Sequence, residues 1–290
     1  MSEYLIPSAE LRARVALEKY GFRHSHSLGQ NFLLDEGLLS RLLDAAEVAA
    51  GENILEIGPG AGVMTALMAR RSGRVLAYEL DAKLMPVLSE VLDGLDNVEI
   101  VNADFLKARD VGDRVRGAFD GQPYRVVANL PYYITADILL KLASLPQPPE
   151  SICIMVQREA ADRIMSGPGS KQWCALAATL RYYGEARVLE EVPPECFDPP
   201  PHVTSCFIRI DRWREPPVRP KDEKLFLRLI NAAFAMRRKT LANNLKAAFG
   251  LDQAAALAVL ESAGLDPLVR GESLELDQLC RVADALSGML

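Results

Sequence analysis

The chain has 290 residues, 49% apolar and 25% charged, with a net charge of −6 at neutral pH. That length suits one large domain with an appendage, or two domains; the balance excludes wholesale disorder, a collagen-like fibre and a disulfide-stapled miniprotein. There is no run of about 18 apolar residues, so no membrane-spanning helix is expected, and the N-terminal MSEYLIPSAELRAR lacks the basic-then-apolar pattern of a secretory leader.

From about residue 50 to 210, short apolar runs alternate with helix-period stretches. A strand is expected at 53–57, then a glycine-rich turn and a helix at 63–71. A strand at 74–79 is followed by a helix at 82–92. Strands at 98–101 and 125–129 come next, then a helix at 135–145. A strand at 151–157, a helix at 174–183 and strands at 187–192 and 205–210 close the series. Strand–helix alternation implies βαβ units and a mostly parallel sheet covered on both faces. Only residues 193–203 separate the last two strands, which suits a final antiparallel hairpin at the sheet edge. Ligands on such sheets bind at the carboxyl ends of the strands. Residues 211–224, DRWREPPVRPKDEK, interrupt the pattern with proline and charge, so a boundary is placed between domains 1–211 and 212–290. The second domain reads as helical: Phe226, Leu229, Ile230, Ala233 and Phe234 share one face, Leu276, Leu279, Val282 and Leu286 another, with Gly250, Gly264 and Pro267 as punctuation.

Charge is unevenly spread. Residues 209–246 hold eleven Lys/Arg against four Asp/Glu, a local +7 that leaves −13 for the remainder. Such a stretch is either a solvated helix face or a phosphate-facing patch. The five cysteines (Cys153, Cys174, Cys196, Cys206 and Cys280) are odd in number and form no CxxC pair. Neither a zinc site nor a disulfide framework is expected, and a reducing cytoplasm is the natural setting.

The first strand ends at Glu56-Ile57-Gly58-Pro59-Gly60-Ala61-Gly62, a turn that allows close approach of a ligand to the backbone. A dinucleotide fingerprint needs glycine or alanine at position 63, where this chain has Val63. The acidic-x-GxGxG spacing instead resembles motif I of class I methyltransferases that use S-adenosylmethionine. Glu79, at the end of the next strand, is placed to accept from ribose hydroxyls. Asp104, after the third, can accept from an exocyclic amine. The fourth strand ends at Asn129-Leu130-Pro131-Tyr132. The lone pair of a base amino group is delocalised into its ring. Acceptors for its two N–H bonds favour a pyramidal nitrogen, and the Asn129 side chain and Leu130 carbonyl can supply them. Pro131 fixes the turn, and Tyr132 can stack on the base. The tetrapeptide resembles the N/D/S-P-P-Y/F motif of amino-methyltransferases, with leucine in second place.

Further motifs make the resemblance specific. Lys19-Tyr20-Gly21-Phe22 through Ser27-Leu28-Gly29-Gln30-Asn31-Phe32-Leu33, Phe197-Asp198-Pro199-Pro200-Pro201-His202-Val203, Arg237-Arg238-Lys239-Thr240-Leu241 and Asn243-Asn244-Leu245 are similar to blocks of the ribosomal RNA adenine dimethyltransferases, in the family's order. The resemblance implies a Rossmann-like class I methyltransferase fold, with a seven-stranded mostly parallel sheet and a small all-helical C-terminal domain that binds rRNA. It implies S-adenosylmethionine as methyl donor, no metal, and dimethylation of two adjacent adenines near the 3′ end of 16S rRNA. The substrate would be a small-subunit assembly intermediate and the enzyme a cytoplasmic monomer with no membrane partner. Carried over by position, cofactor contacts fall on Asn31, Leu33, Gly58, Glu79, Asp104 and Asn129, and target-base contacts on Asn129, Leu130, Tyr132 and Phe197.

Three departures stand out. His24-Ser25-His26 replaces basic residues, in solvent-exposed loop positions by expectation. His202 replaces Lys or Arg. Trp173-Cys174-Ala175-Leu176 replaces Tyr-Gly-x-Leu. Two other readings compete: a large-subunit rRNA methyltransferase of the macrolide-resistance type, and a non-catalytic assembly factor on the same fold. The Arg-Arg-Lys-Thr-Leu block and the length of the helical tail favour the small-subunit enzyme; the complete set of Glu79, Asp104 and tetrapeptide speaks against the idle factor.

Overall fold

The alternating pattern folds as one seven-stranded sheet, with helices before, between and after its strands. The computed structural model describes residues 7–25 and 28–289; the first six residues, His26 and Ser27 lie outside the described residues. In chain order the elements begin α1 (Ala9–Lys19), β1 (Phe32–Leu33), α2 (Glu36–Ala45), β2 (Asn53–Ile57), α3 (Val63–Arg71), β3 (Arg74–Glu79), α4 (Met85–Val91), β4 (Val98–Asn102), α5 (Val111–Ala118), β5 (Tyr124–Asn129), α6 (Thr135–Ala143) and β6 (Ser151–Gln157). They continue with α7 (Arg158–Ile164), α8 (Ala175–Tyr183), β7 (Gly184–Val192), β8 (Phe197–Asp198), β9 (Ser205–Arg212), α9 (Glu223–Ala235), α10 (Leu241–Phe249), α11 (Gln253–Ser262) and α12 (Leu276–Ser287).

The strand order is β4-β3-β2-β5-β6-β9-β7. β4, β3, β2, β5 and β6 are parallel neighbours, and β9 runs antiparallel to β6. β7 and β9 are adjacent at one edge, as the short connection between them led us to expect. β2 has β3 on one side and β5 on the other, so chain order reverses beside it. A crevice opens at the carboxyl ends of strands where the order reverses in this way.

α1 to α4 bury Ala13, Leu39, Leu42, Leu43, Leu67, Val87 and Leu88 together with Ile54, Val75, Val127 and Phe207 of the strands. Each such aliphatic side chain contributes about 1.5–3 kcal/mol on leaving water. α2 starts where it does because Asp35 accepts from the Leu38 amide, and Leu38, Leu39, Leu42 and Leu43 then share one face. The helix expected from residue 82 opens as a 3-10 turn, and α4 proper begins at Met85, with Pro86 in its first turn, where a missing N–H costs nothing. α1, α2, α5, α7 and the two-residue pairing of β1 with β8 are additions to the sequence reading. That pairing sets Leu33 opposite Phe197. His24 is not a free loop side chain: its ring lies 4.9 Å from that of Phe32 and 5.7 Å from that of Phe22.

The chain divides into two compact units, Met1–Ala161 with Arg187–Asp211, and Asp162–Ala186 with Arg212–Leu290. The division is therefore not a single cut after residue 211. Residues 162–186 join the smaller unit because fully buried Trp173, with Ala177, Ala178 and Tyr182 of α8, packs into the same core as Phe226, Leu229, Ile230 and Ala233 of α9. Composition marks a linker but cannot show that an earlier helix supplies one wall of a later core. Asp222, Thr240 and Asp252 cap α9, α10 and α11 by accepting from amides three residues on.

Candidate functional site

β2 delivers the chain into the glycine turn at its carboxyl end. Gly60 has φ +57°, and a Cβ there would stand 3.1 Å from the Phe32 ring. Gly62 has φ +81°, and a Cβ there would stand 2.9 Å from a Leu88 methyl. Both positions demand glycine, by backbone conformation and by space. The Gly58 amide donates to the Tyr78 carbonyl at 2.9 Å, tying the turn to β3.

Three carboxylates line the space above this turn: Glu56, Glu79 and Asp104. Glu79 is 5% exposed. It accepts from the Asp81 amide at 2.7 Å and the Gly60 amide at 3.2 Å. Burial nevertheless dominates and pushes its pKa up to about 7. Glu56 is 1% exposed and accepts from Thr65 Oγ1 at 2.6 Å; burial pushes it up to about 8. Gln30 donates to Asp81 at 3.0 Å and accepts from the Ser25 amide at 2.7 Å, so it joins Ser25 to the acid just after β3. Asp104 folds back on its own loop, accepting from the Leu106 amide at 2.9 Å, with its other oxygen 3.2 Å from Lys107 Nζ.

β5 ends at the tetrapeptide. The Asn129 side-chain amide donates to the Asn31 carbonyl at 2.9 Å. A carbonyl can only accept, so this bond fixes which end of the Asn129 amide is the NH₂ and which is the oxygen that can accept elsewhere. Tyr132 Oη is 2.6 Å from Ser205 Oγ, which fixes its ring; burial raises its pKa. Leu130 is buried, whereas Tyr133 is 61% exposed.

These groups surround one cleft that is partly open to solvent. Asn31, Leu33, Gly58, Glu79, Asp104, Asn129, Leu130 and Tyr132 all line it. Phe197 does not. The structure sets Phe197 in the core under the β1–β8 pairing, 3% exposed, so it has no free ring face for a base. Its place in a proline-rich loop after a strand suggested an exposed clamp; the β pairing turns it inward instead. Sequence reasoning passed over Gln30, Phe105 and Tyr133, which also line the cleft. For Tyr133 there was a signal, a second aromatic directly after the tetrapeptide. For Gln30 there was one too, its place in a recognised motif beside Asn31; for Phe105 there was none without the fold.

Among the described residues the lining holds these three acids and no Lys or Arg. No group of three His, Cys, Asp or Glu that could hold a metal occurs among the described residues, and no described helix is long and apolar enough to cross a membrane. None of the five cysteines forms a disulfide among the described residues, and three of them are buried.

The profile of a family described as "Ribosomal RNA adenine dimethylase" matches residues 21–287. A protein from Bacillus mycoides named "Ribosomal RNA small subunit methyltransferase A" is 40% identical over 279 residues, covering 95% of each chain. A protein of the same name from Streptococcus thermophilus is 41% identical over 283 residues, covering 94% of this chain and 95% of the other. Among solved structures, the 23S rRNA methyltransferase ErmE superposes with a TM-score of 0.64 at 27% identity, over 89% of this chain and 100% of that one. A dimethyladenosine transferase from Plasmodium falciparum superposes with a TM-score of 0.70 at 20% identity, over 85% of this chain and 94% of that one, a likeness of fold.

Proposed function

Because the chain belongs to the ribosomal RNA adenine dimethylase family, we propose that it transfers methyl groups from S-adenosylmethionine to the N6 amines of two adjacent adenines near the 3′ end of 16S rRNA. The products are N6,N6-dimethyladenosines and S-adenosylhomocysteine. The site fits this cofactor class better than a dinucleotide. Among the described residues the cleft lining offers no Lys or Arg to meet a pyrophosphate, while Glu79 and Asp104 supply acceptors for hydroxyl and amine groups. Gly60 leaves the room that a side chain would fill. When bound, S-adenosylmethionine supplies a sulfonium methyl that an amine can attack directly.

The chain's own work is to hold and position. Glu79 is the acceptor for ribose hydroxyls and Asp104 for the cofactor's adenine amine, with Asn31, Leu33 and Gly58 beside them. Asn129 offers its side-chain oxygen to one N–H of the target amine, and the Leu130 carbonyl takes the other. The nitrogen's lone pair is then free, and the positive charge that grows on it meets fixed dipoles. Each transfer forms one N–C bond, breaks one S–C bond and releases one proton from nitrogen. Tyr132, held by Ser205, stacks on the extruded base, and exposed Tyr133 offers a second ring at the rim. The observation that carries the reading is the Asn129 to Asn31 hydrogen bond, which fixes the orientation of the side-chain amide and so which end is the oxygen offered to the amine. The helical unit is read as the rRNA-binding part, the substrate as an assembly intermediate of the small subunit, and the enzyme as a cytoplasmic monomer.

Incubation of undermethylated ribosomal particles with labelled S-adenosylmethionine, followed by mass spectrometry of the rRNA, tests this. Dimethyladenosine in 16S rRNA is the expected result. Label in 23S rRNA would point to the macrolide-resistance type, and no label to an idle assembly factor. The 40–41% identity to small-subunit methyltransferases against 27% to ErmE favours the first.

A further inference from the structure

Lys141 lies outside the cleft lining and belongs to none of the motifs above, yet it makes an unusual set of contacts. It sits on α6, one turn after Ile138, which does line the cleft. Its Nζ donates to three backbone carbonyls of one loop: Phe105 at 2.6 Å, Leu106 at 3.1 Å and Ala108 at 2.7 Å. The ammonium also stands 5.2 Å from the centroid of the Phe105 ring. An ammonium has three donors, and here each finds a carbonyl. The loop it grips runs from the end of β4 into α5 and carries Asp104, Phe105 and Leu106 into the cleft wall. Phe105 in turn packs edge-on against Tyr78, ring centroids 5.4 Å apart, and Tyr78 lines the cleft from β3.

The loop's own hydrogen bonds explain why it needs this clamp. The Asp104 carbonyl receives the Lys107 and Ala108 amides, and the Asp104 side chain receives the Leu106 amide. That tight turn leaves the carbonyls of residues 105, 106 and 108 converging on one point, where their partial negative charges repel unless a cation stands among them. Partial burial lowers the Lys141 pKa, opposed by the charges of Asp104 and Asp110.

We propose that Lys141 is a positioning residue for the cofactor site: it fixes the 104–108 loop so that Asp104 and the Phe105–Leu106 wall are preset for the adenine end of the cofactor. This rests on the reading that the cleft takes S-adenosylmethionine. Lys141 acts from behind the wall, so its loss should weaken cofactor binding and leave the target-base machinery at the end of β5 in place.

The test compares wild-type enzyme with K141M and K141R, measuring S-adenosylmethionine affinity by calorimetry, single-turnover rate at saturating cofactor, KM for rRNA and amide exchange across residues 104–108. In K141M the cofactor Kd should rise ~10-fold or more, with the saturated rate within ~3-fold and the rRNA KM unchanged, the pattern of lost ground-state positioning. Exchange at 104–108 should quicken, and K141R should recover part of both effects. A folded K141M with wild-type affinity and wild-type exchange overturns the proposal. So does an equal decline of rate and both affinities, which would mark general loosening. Should K141M fail to fold, K141Q decides: it keeps a polar side chain but neither the charge nor the three donors of the ammonium, so wild-type exchange and affinity in that variant also overturn the proposal. If wild-type enzyme does not bind S-adenosylmethionine, the cleft assignment falls, while the exchange measurement still reports on the clamp without any ligand.

Discussion

The pKa of Glu79 should make cofactor binding depend on pH around neutrality. Only the ionised carboxylate can accept from two ribose hydroxyls at once; the protonated acid must spend one oxygen as a donor. With a pKa near 7 in the free enzyme, about a tenth of the molecules are ionised at pH 6 and about nine tenths at pH 8. Affinity should therefore rise about tenfold between those values, and flatten above pH 8. In free energy that is about 1.4 kcal/mol, the equivalent of one pKa unit. Binding below pH 7 should release a proton, because the hydroxyl donors pull the carboxyl pKa down. Calorimetry in buffers of different ionisation enthalpy reads both effects. Methylthioadenosine is the suitable ligand, since it carries the same ribose but no amine or carboxylate of its own to titrate. E79Q should bind roughly 10- to 150-fold more weakly, the loss expected for hydrogen bonds to a charged group, and its affinity should be flat with pH. Wild-type affinity that is constant from pH 6 to 8 would refute the reasoning. If E79Q kept the wild-type slope, the titrating group would be Glu56.

Glu56 should cost stability as pH rises: its folded pKa, about 8, lies above the ordinary carboxyl value of 4.5. The folded state thus holds the proton more tightly, and stability present below pH 4.5 is lost progressively up to about pH 8. The melting temperature should fall by several degrees across that range, at ~2–4 °C per kcal/mol, and E56Q should lessen the fall, leaving the part that the raised pKa of Glu79 contributes. N129A should slow both transfers by ~10²–10³-fold at saturating cofactor, the scale for losing one preorganised polar contact. N129D should do little better, because a carboxylate oxygen would replace the NH₂ that now faces the Asn31 carbonyl; single-turnover rates on rRNA decide. F197A should lower stability by ~3–5 kcal/mol as a core cavity, and a melting temperature near wild type with lost RNA turnover would restore the base-stacking role. Arg237 is paired with Glu272 and donates to the Lys171 carbonyl, so R238A/K239A should account for most of the block's effect on salt dependence, up to ~0.7–0.9 in the log–log slope per phosphate contact. R237A should lower the melting temperature, and a larger slope change from R237A than from the double variant would contradict this.

Much of the fold was legible because periodicity and turn residues are local. Strands 53–57, 74–79 and 151–157 match their sequence-based bounds, since short apolar runs punctuated by glycine or polar residues can satisfy their backbone only as buried strands. The cleft was legible for a related reason: at carboxyl ends of parallel strands, the residue that ends each apolar run, such as Glu79 or Asn129, must emerge beside the glycine turn. What sequence could not show was any pairing distant along the chain. Lys141 reads as an ordinary charge on an amphipathic helix until the loop thirty-odd residues earlier folds against it.

The sequence by itself determined the order and type of the central elements, the glycine turn and the chemistry gathered at the strand ends, because these follow from side-chain period and from residues only one backbone conformation tolerates. Tertiary structure decided the rest. It turned Phe197 inward, through a two-residue β pairing with Phe32 and Leu33 too short to leave a pattern. It gave Trp173 and α8 to the helical unit. It set the carboxyls of Glu56 and Glu79 near neutrality, because how far a charge is desolvated depends on everything packed around it, not on its neighbours in sequence.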